Sequence, residues 1–360
     1  MKNILDKYGI DEAKTIVEPL TTGLINRTWK ISLGDNQYIL QRINDYVFKN
    51  PYYIAENIRM VDEYLKKYDP SYLFPSPVKT IKGEDVVYDE TEGWFRLFPF
   101  IKGSHTIQVV TSPEQAFEAA MQFGKFTRLL SGFDASKLHK TIPDFHNLGL
   151  RFHQFENAIE NGNSNRIKQS NELIKEIKSR HHIVASFEKI ENNHLIKQRV
   201  THHDTKISNV LFDDCEKGIC IIDLDTLMPG YFISDLGDMM RTYLSPAGEE
   251  EKDFSKIEIR EDFFRAIIAG YAGTMGHELN KDEQDLIFYS GLFLTYMQAM
   301  RFLTDHLNND IYYGAAYEDH NFVRAGNQIQ LLKKMEEKRE VLEKIISEEM
   351  KNEKRFSSHN

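Results

Sequence analysis

The sequence predicts a two-lobed α+β protein: a small, mostly antiparallel β lobe followed by a larger helical lobe. Three observations carry that prediction. The chain has 360 residues, more than one hydrophobic core usually organises. Residues 1–100 read as short alternating strands with a single helix, whereas most of the remaining chain has helical periodicity. Within that second part, Thr201–Asp225 (THHDTKISNVLFDDCEKGICIIDLD) sets strand-like apolar pieces beside Asp, Asn and His side chains.

Along the chain, Ile16–Leu20 is apolar and runs into the turn Thr21-Thr22-Gly23-Leu24-Ile25-Asn26. Thr28–Leu33 alternates as a strand, Gly34-Asp35-Asn36 is a hairpin signal, and Gln37–Ile43 is the return strand. Pro51–Tyr68 predicts a helix with Ile54, Ile58, Val61 and Leu65 on one face. After Pro75 and Pro77, three strands are expected at Val78–Ile81, Asp85–Tyr88 and Trp94–Phe98. The segment Phe98–Gly103, with Pro99 and Gly103, suits a connector between lobes.

Beyond it, Ser112-Pro113-Glu114 marks a helix start: a capping Ser, then Pro in the first turn. That helix should run to about Leu130. Further helices are expected at Asn147–Ile159, across Arg166–Glu191, and near Asp235–Leu244, Arg260–Met275 and Lys281–Leu307. The charged tail from Leu331 to Asn360 suits one surface helix with a frayed end after Asn352. The predicted units are therefore 1–100, a lobe covering the nucleotide, 101–330, the catalytic and acceptor-binding lobe, and 331–360, the tail.

Composition narrows the function classes. A hydrophobic fraction of 41% with 12% aromatic residues is that of a folded globule rather than a disordered chain. A formal charge of −10 argues against a nucleic-acid binder. Cys215 and Cys220 alone cannot make a zinc site. No signal-peptide pattern or run of about 18 apolar residues is visible, so a cytoplasmic enzyme with no membrane partner is expected.

The chemistry concentrates in Thr201–Asp225. Asp204 follows His202 and His203, Asn209 comes five residues later, and Asp223 and Asp225 follow the apolar run Ile219–Ile222. Phosphoryl transfer needs this set: a carboxylate to orient or deprotonate the attacking hydroxyl, and an amide oxygen with a second carboxylate to hold Mg²⁺ against the phosphates. On this basis Asp204 is the expected catalytic group, and Asn209 and Asp223 the metal ligands. Asp225 is either a further ligand or an ion-pair residue. Asp235, after Ser234, suits a helix cap, and Asp238 suits a partner of the catalytic loop.

These residues carry a resemblance. HHDTKISNVLF, CIIDLDTLMPG and SDLGDMMR resemble the aminoglycoside phosphotransferase and choline kinase superfamily, and more narrowly the N-acetylhexosamine 1-kinase group. Thr22–Asn26, Tyr38–Asn44 and Glu56–Ile58 add to it, so that it spans roughly residues 15 to 330. His203 stands where that group has Gly. The resemblance implies a bilobal protein-kinase-like fold, ATP as co-substrate, Mg²⁺ as cofactor, and a sugar acceptor phosphorylated at its anomeric hydroxyl. Kinases of another small hydroxyl compound, such as choline or homoserine, share the pattern. A non-catalytic nucleotide-binding protein would not require Asp204, Asn209 and Asp223 together.

The resemblance also implies site residues. The Gly23 loop and Asn26 would lie over the phosphates, Phe98 and Phe100 beside the nucleotide, and His202 would fix the loop backbone. A cation is expected to touch the α/β phosphates from the strand Tyr38–Leu40, which continues into Gln41-Arg42 rather than Lys. Either side chain could serve, with Glu56 as partner. In the helical lobe, Met297, Arg301, Asp305 and Asn308 share a helical stripe, and Arg301 and Tyr312 correspond to the sugar-contacting Arg and Tyr. Without a ligand, Arg301 and Asp305 would read as an ion pair. Arg324 is a further possible contact.

Overall fold

The computed structural model describes residues 1–20, 26–194 and 196–357. The turn around Gly23 lies outside the described residues. Residues 1–100 form a five-stranded, wholly antiparallel sheet: β1 (Ile16–Leu20), β2 (Arg27–Leu33), β3 (Asn36–Ile43), β4 (Val87–Asp89) and β5 (Gly93–Pro99), in the order β1-β2-β3-β5-β4. The β2–β3 hairpin closes on Gly34 at φ 57, a backbone region open to glycine at little cost. The expected strand at Val78–Ile81 does not form. Pro75 and Pro77 offer no N–H to a ladder. Val78 donates to Leu97 O at 2.7 Å, and the chain then turns at Gly83.

Helix Pro51–Tyr68 has its predicted limits, with Asn50 accepting from Tyr52 N–H as N-cap and Ile54, Ile58, Val61 and Leu65 buried. It also fastens the lobes together. Asn57 is fully buried, and its amide donates to His139 O and Leu227 O, both at 2.8 Å, in the second lobe.

The second lobe is mostly helical. Helix Pro113–Leu129 starts where the Ser-Pro signal put it, with Ser112 accepting from Gln115 N–H. The stretch 166–191 is divided among Ser164–Gln169, Asn171–Ser179 and His182–Asn193. Helix Lys281–Leu307 is broken at Leu286 into Lys281–Asp285 and Ile287–Leu307. Two short sheets carry the functional stretch. One pairs β6 (His105–Thr106), β8 (Val210–Phe212) and β9 (Gly218–Ile221); the other pairs β7 (Arg199–Thr201) with β10 (Met228–Gly230).

The tail departs from expectation. It is two helices, His320–Glu337 and Arg339–Ser357, and position 331 falls inside the first. It lies at the surface with one buried stripe, in which Leu331, Leu332, Met335, Leu342 and Ile345 face the core. Their helical spacing makes an apolar stripe that gains more by packing on the lobe than by facing water. Arg265 on helix Glu261–Met275 ties the tail down through Glu348 and Glu349. No helix among the described residues is long and apolar enough to cross a membrane.

Candidate active site

The loop 202–209 is held almost atom by atom. Asp235 accepts the N–H groups of His202 (3.0 Å) and His203 (2.7 Å), and Asp238 accepts that of Thr205 (2.8 Å). The His202 ring bridges the loop to the next strand, with Nδ1 at Asp204 N (3.3 Å) and Nε2 at Ile222 O (2.9 Å). Asp235 is therefore not a helix cap. Its helix begins earlier, at Phe232, and the carboxylate is turned back to receive the loop. Burial pushes Asp235 up to about 6, against the pull of His202 and the two N–H donors. Asp238 is also raised by burial, with Arg241 opposing.

His203 has φ 66, which explains why a glycine suits this position. Its Nδ1 lies 3.1 Å from both Thr201 O and Thr226 O, so this nitrogen carries the proton. The ring fills space left by Gly230, where a Cβ would collide with Nε2. Desolvation lowers the imidazole to about 4. His146 packs edge-on against it, ring centroids 5.2 Å apart.

The three residues expected to carry chemistry come together. Asn209 Nδ2 donates to Asp204 O (2.9 Å), and Asn209 O accepts from Ile222 N–H (2.8 Å), one residue before Asp223. Asp223 takes a left-handed conformation, φ 59 and ψ 59, and is open to solvent. Its carboxyl is pushed above the usual carboxylate range, by the surrounding protein first and then by the charges of Asp225 and Asp204, while Arg96 and Lys206 work the other way. Its wet face weakens the desolvation part, so the like charges are the cause that stands. With the Asn209 nitrogen committed, its amide oxygen and the Asp223 carboxylate are hard donors with no other task. They fit Mg²⁺, which takes few protein oxygens and leaves positions for water and phosphate. Asp204 is half-buried, with Lys206 Nζ 3.2 Å from its carboxylate.

Asp225 is the ion-pair residue of the two. Its carboxylate is buried, paired with Arg96 and accepting from Asn26 Nδ2 at 2.7 Å. Asn26 is thus a strap between lobes. Arg96 is the residue that sequence reasoning missed. It lies on β5 directly across from Gln41 on β3, is 1% exposed, and donates twice to Gln41 Oε1 (3.0 and 2.8 Å). The structure thus sets a buried guanidinium directly across from Gln41, on the neighbouring strand. An arginine in the middle of the apolar run Trp94–Phe98 was the available signal.

Arg42, the other candidate, is bound to Glu92 O at the sheet edge. Glu56 joins neither Gln41 nor Arg42; its carboxylate meets His139 Nε2 (2.9 Å) and Arg59 (3.7 Å). Phe98 lies under the Arg96 guanidinium at 5.0 Å, and Phe100 under Lys30 at 4.5 Å.

The Arg301 wall also forms, but not as an ion pair. Asp305 accepts Tyr312 N–H (2.7 Å) and Tyr313 N–H (2.9 Å), so it pins the aromatic turn instead. Met297 is core. Arg301 lies 3.3 Å from the Tyr312 hydroxyl and within 6 Å of the ring centres of Phe145, Tyr312 and Tyr313. Among the described residues it has no carboxylate partner. Arg324 is committed elsewhere, to Glu249 and Glu250.

Comparison with known proteins identifies the family and the fold. Residues 16–276 match the phosphotransferase enzyme family (APH). In fold the chain is similar to a spectinomycin phosphotransferase solved with ADP and spectinomycin (16% identity, 93% of this chain and 96% of that one, TM-score 0.58). It is similar also to a microcompartment-associated aminopropanol kinase (14%, 95% and 97%, 0.60) and to choline kinase from Cryptosporidium parvum (14%, 91% and 92%, 0.54). The chain belongs to the phosphotransferase enzyme family, and its fold is the kinase-like one of a β lobe and a helical lobe.

Proposed function

We propose that this phosphotransferase moves the γ-phosphoryl group of ATP to the anomeric hydroxyl of an N-acetylhexosamine, giving the sugar 1-phosphate. The observation that carries the acceptor class is the wall at Arg301: a guanidinium with no carboxylate partner among the described residues, a tyrosine hydroxyl beside it, and aromatic rings around it. Planar donors and ring faces suit a neutral polyhydroxy ring. Rings also attract an ammonium group, but here the Arg301 guanidinium already lies over Phe145, Tyr312 and Tyr313 and would repel a second cation. Asp305 is spent on the backbone N–H groups of Tyr312 and Tyr313, and Glu249 on Arg241 and Arg324.

Asp204 orients the attacking hydroxyl and accepts its proton as the bond to phosphorus forms. An anomeric hydroxyl is more acidic than an ordinary alcohol, so a carboxylate suffices as base. Asp235, Asp238 and His202 fix the loop that presents it, which is how positioning becomes rate. Lys206, held in its charged form chiefly by Asp204, adds positive charge beside the transferred group. Arg96 occupies Asp225, leaving Asp223 to face the cleft with Asn209; these two would hold Mg²⁺, which when bound neutralises charge on the phosphates.

An acceptor panel assayed for ATP consumption tests this. N-acetylglucosamine or N-acetylgalactosamine should be turned over well above choline, ethanolamine and an aminoglycoside. Turnover of choline with neither sugar active would refute the acceptor assignment and leave the phosphotransferase standing.

A further inference from the structure

Past Tyr312 the protein has a cavity of about 600 Å³ that the transfer chemistry does not use. Both lobes line it: Tyr46 comes from the loop after β3, and Asn161, Asn308, Asn309 and Tyr312 from the helical lobe. Its floor is built where two helix ends meet. Asn163 N–H donates to Leu307 O (2.8 Å), and at Gly162 a Cβ would strike the Ala158 and Leu307 carbonyls, so only glycine permits the approach. Asn309 follows with φ 63 and accepts from Asn163 Nδ2 at 2.8 Å.

The chemistry of the cavity is narrow. Asp305 is the one charged residue among the described lining residues, and its carboxylate already serves the N–H groups of Tyr312 and Tyr313. Arg166 and Asp310, next to the floor, pair with each other at 2.6 Å. The remainder is amide and aromatic, with Gly162 and the exposed Ile311. The side chains of Asn161 and Asn308 have no hydrogen-bond partner among the described residues and are exposed. Tyr46 and Tyr312 are 73% and 62% exposed. Amides pair with hydroxyl and acetamido groups, and rings cover the C–H faces of a pyranose. An anion would find no cation in this lining, and an ammonium group no free carboxylate. Tyr312 belongs to both the cavity and the wall. From Arg301 to Asn308 the helix advances about 10 Å, a reach that continues directly from an acceptor ring at Arg301.

Building on the proposed sugar acceptor, we propose that this cavity is an outer subsite for a second, uncharged sugar residue. The acceptor is then a disaccharide or longer glycan phosphorylated at its free reducing end. The new P–O bond forms at the anomeric oxygen of the inner residue, the bond from phosphorus to the β–γ bridging oxygen of ATP breaks, and the anomeric proton goes to Asp204. The glycosidic bond is untouched.

Initial rates with ATP decide it, comparing N-acetylglucosamine and N-acetylgalactosamine each with its 3-, 4- and 6-linked hexosyl and N-acetylhexosaminyl disaccharides. At least one disaccharide should exceed the monosaccharide in kcat/KM by about tenfold, the worth of a modest added pocket contact. Tyr46→Ala and Asn161→Ala should each lower that ratio several-fold. Phosphorylation of the monosaccharide with no gain for any disaccharide overturns the subsite and leaves the proposed function intact. So does a gain that both variants keep. Failure of monosaccharide and disaccharides alike overturns both.

Discussion

The loop 202–209 and the wall 301–312, the two halves of the proposed site, are built on opposite principles. In the loop, buried carboxylates from one helix receive three backbone N–H groups, and a histidine spans the gap to the next strand. Nothing is left to adjust. In the wall, a half-exposed arginine and an exposed tyrosine touch at 3.3 Å, and the firm contact lies behind them, at Asp305. The difference teaches that chemistry and selectivity make unlike demands. Transfer of phosphorus tolerates little misplacement, so its residues are over-determined. Acceptor recognition gains from side chains that are still free to pair.

Substitutions on the two sides should therefore fail differently. Asp204→Asn should cut kcat by roughly 10³-fold with Mg²⁺–ATP affinity kept, as read by calorimetric titration; a near wild-type rate would take the base role from Asp204. Arg96→Gln leaves Asp225 buried beside a neutral partner and should cost about 3–5 kcal/mol of stability. Adding Gln41→Arg, which moves the guanidinium to the facing strand, should restore part of it in thermal unfolding. Equal melting temperatures for single and double variants would show that the cation cannot be exchanged across the strand pair. On the wall, Arg301→Ala should raise the acceptor KM about tenfold or more while the KM for ATP stays put. A fall in kcat with unchanged KM would instead make the wall part of the chemistry.

The smallest effect at neutral pH is expected at His203. Its imidazole is held near 4 in the folded protein against 6.5 in the ordinary state. The unfolded chain therefore binds a proton that the native state refuses, and stability is lost as pH falls from about 6.5 toward 4. Asp235, raised to about 6, has the opposite sign, since its proton is bound more readily in the native state. Comparing wild type with His203→Gly isolates the histidine. The variant should lose less stability on acidification, measured by denaturant unfolding at pH 7 and pH 4.5. Parallel pH profiles would contradict its buried, neutral state.

Much of the frame was legible because it is local. The limits of helix Pro51–Tyr68 follow from Asn50, Pro51 and a four-residue apolar stripe, and the β2–β3 hairpin from Gly34. Asp204, Asn209 and Asp223 were legible because they sit within 20 residues of one another on a recognisable strand–turn pattern. The Val78–Ile81 strand was misjudged because apolar alternation says nothing about a missing N–H partner upstream. The tail was misjudged as one helix because no Gly or Pro marks its break at Lys338.

What the sequence by itself determined is the kind of chemistry: short-range order of ligand types, capped helices and turns, each set by neighbours along the chain. Only the tertiary structure decided who meets whom. It set Arg96 across from Gln41, gave Asp225 an ion pair, Asp235 the loop rather than a helix end, and Asp305 the aromatic turn rather than Arg301. The physical reason is common to all four. A buried charge takes the partner that burial and geometry allow, and that partner lay on another strand, helix or loop, at a separation no local pattern encodes.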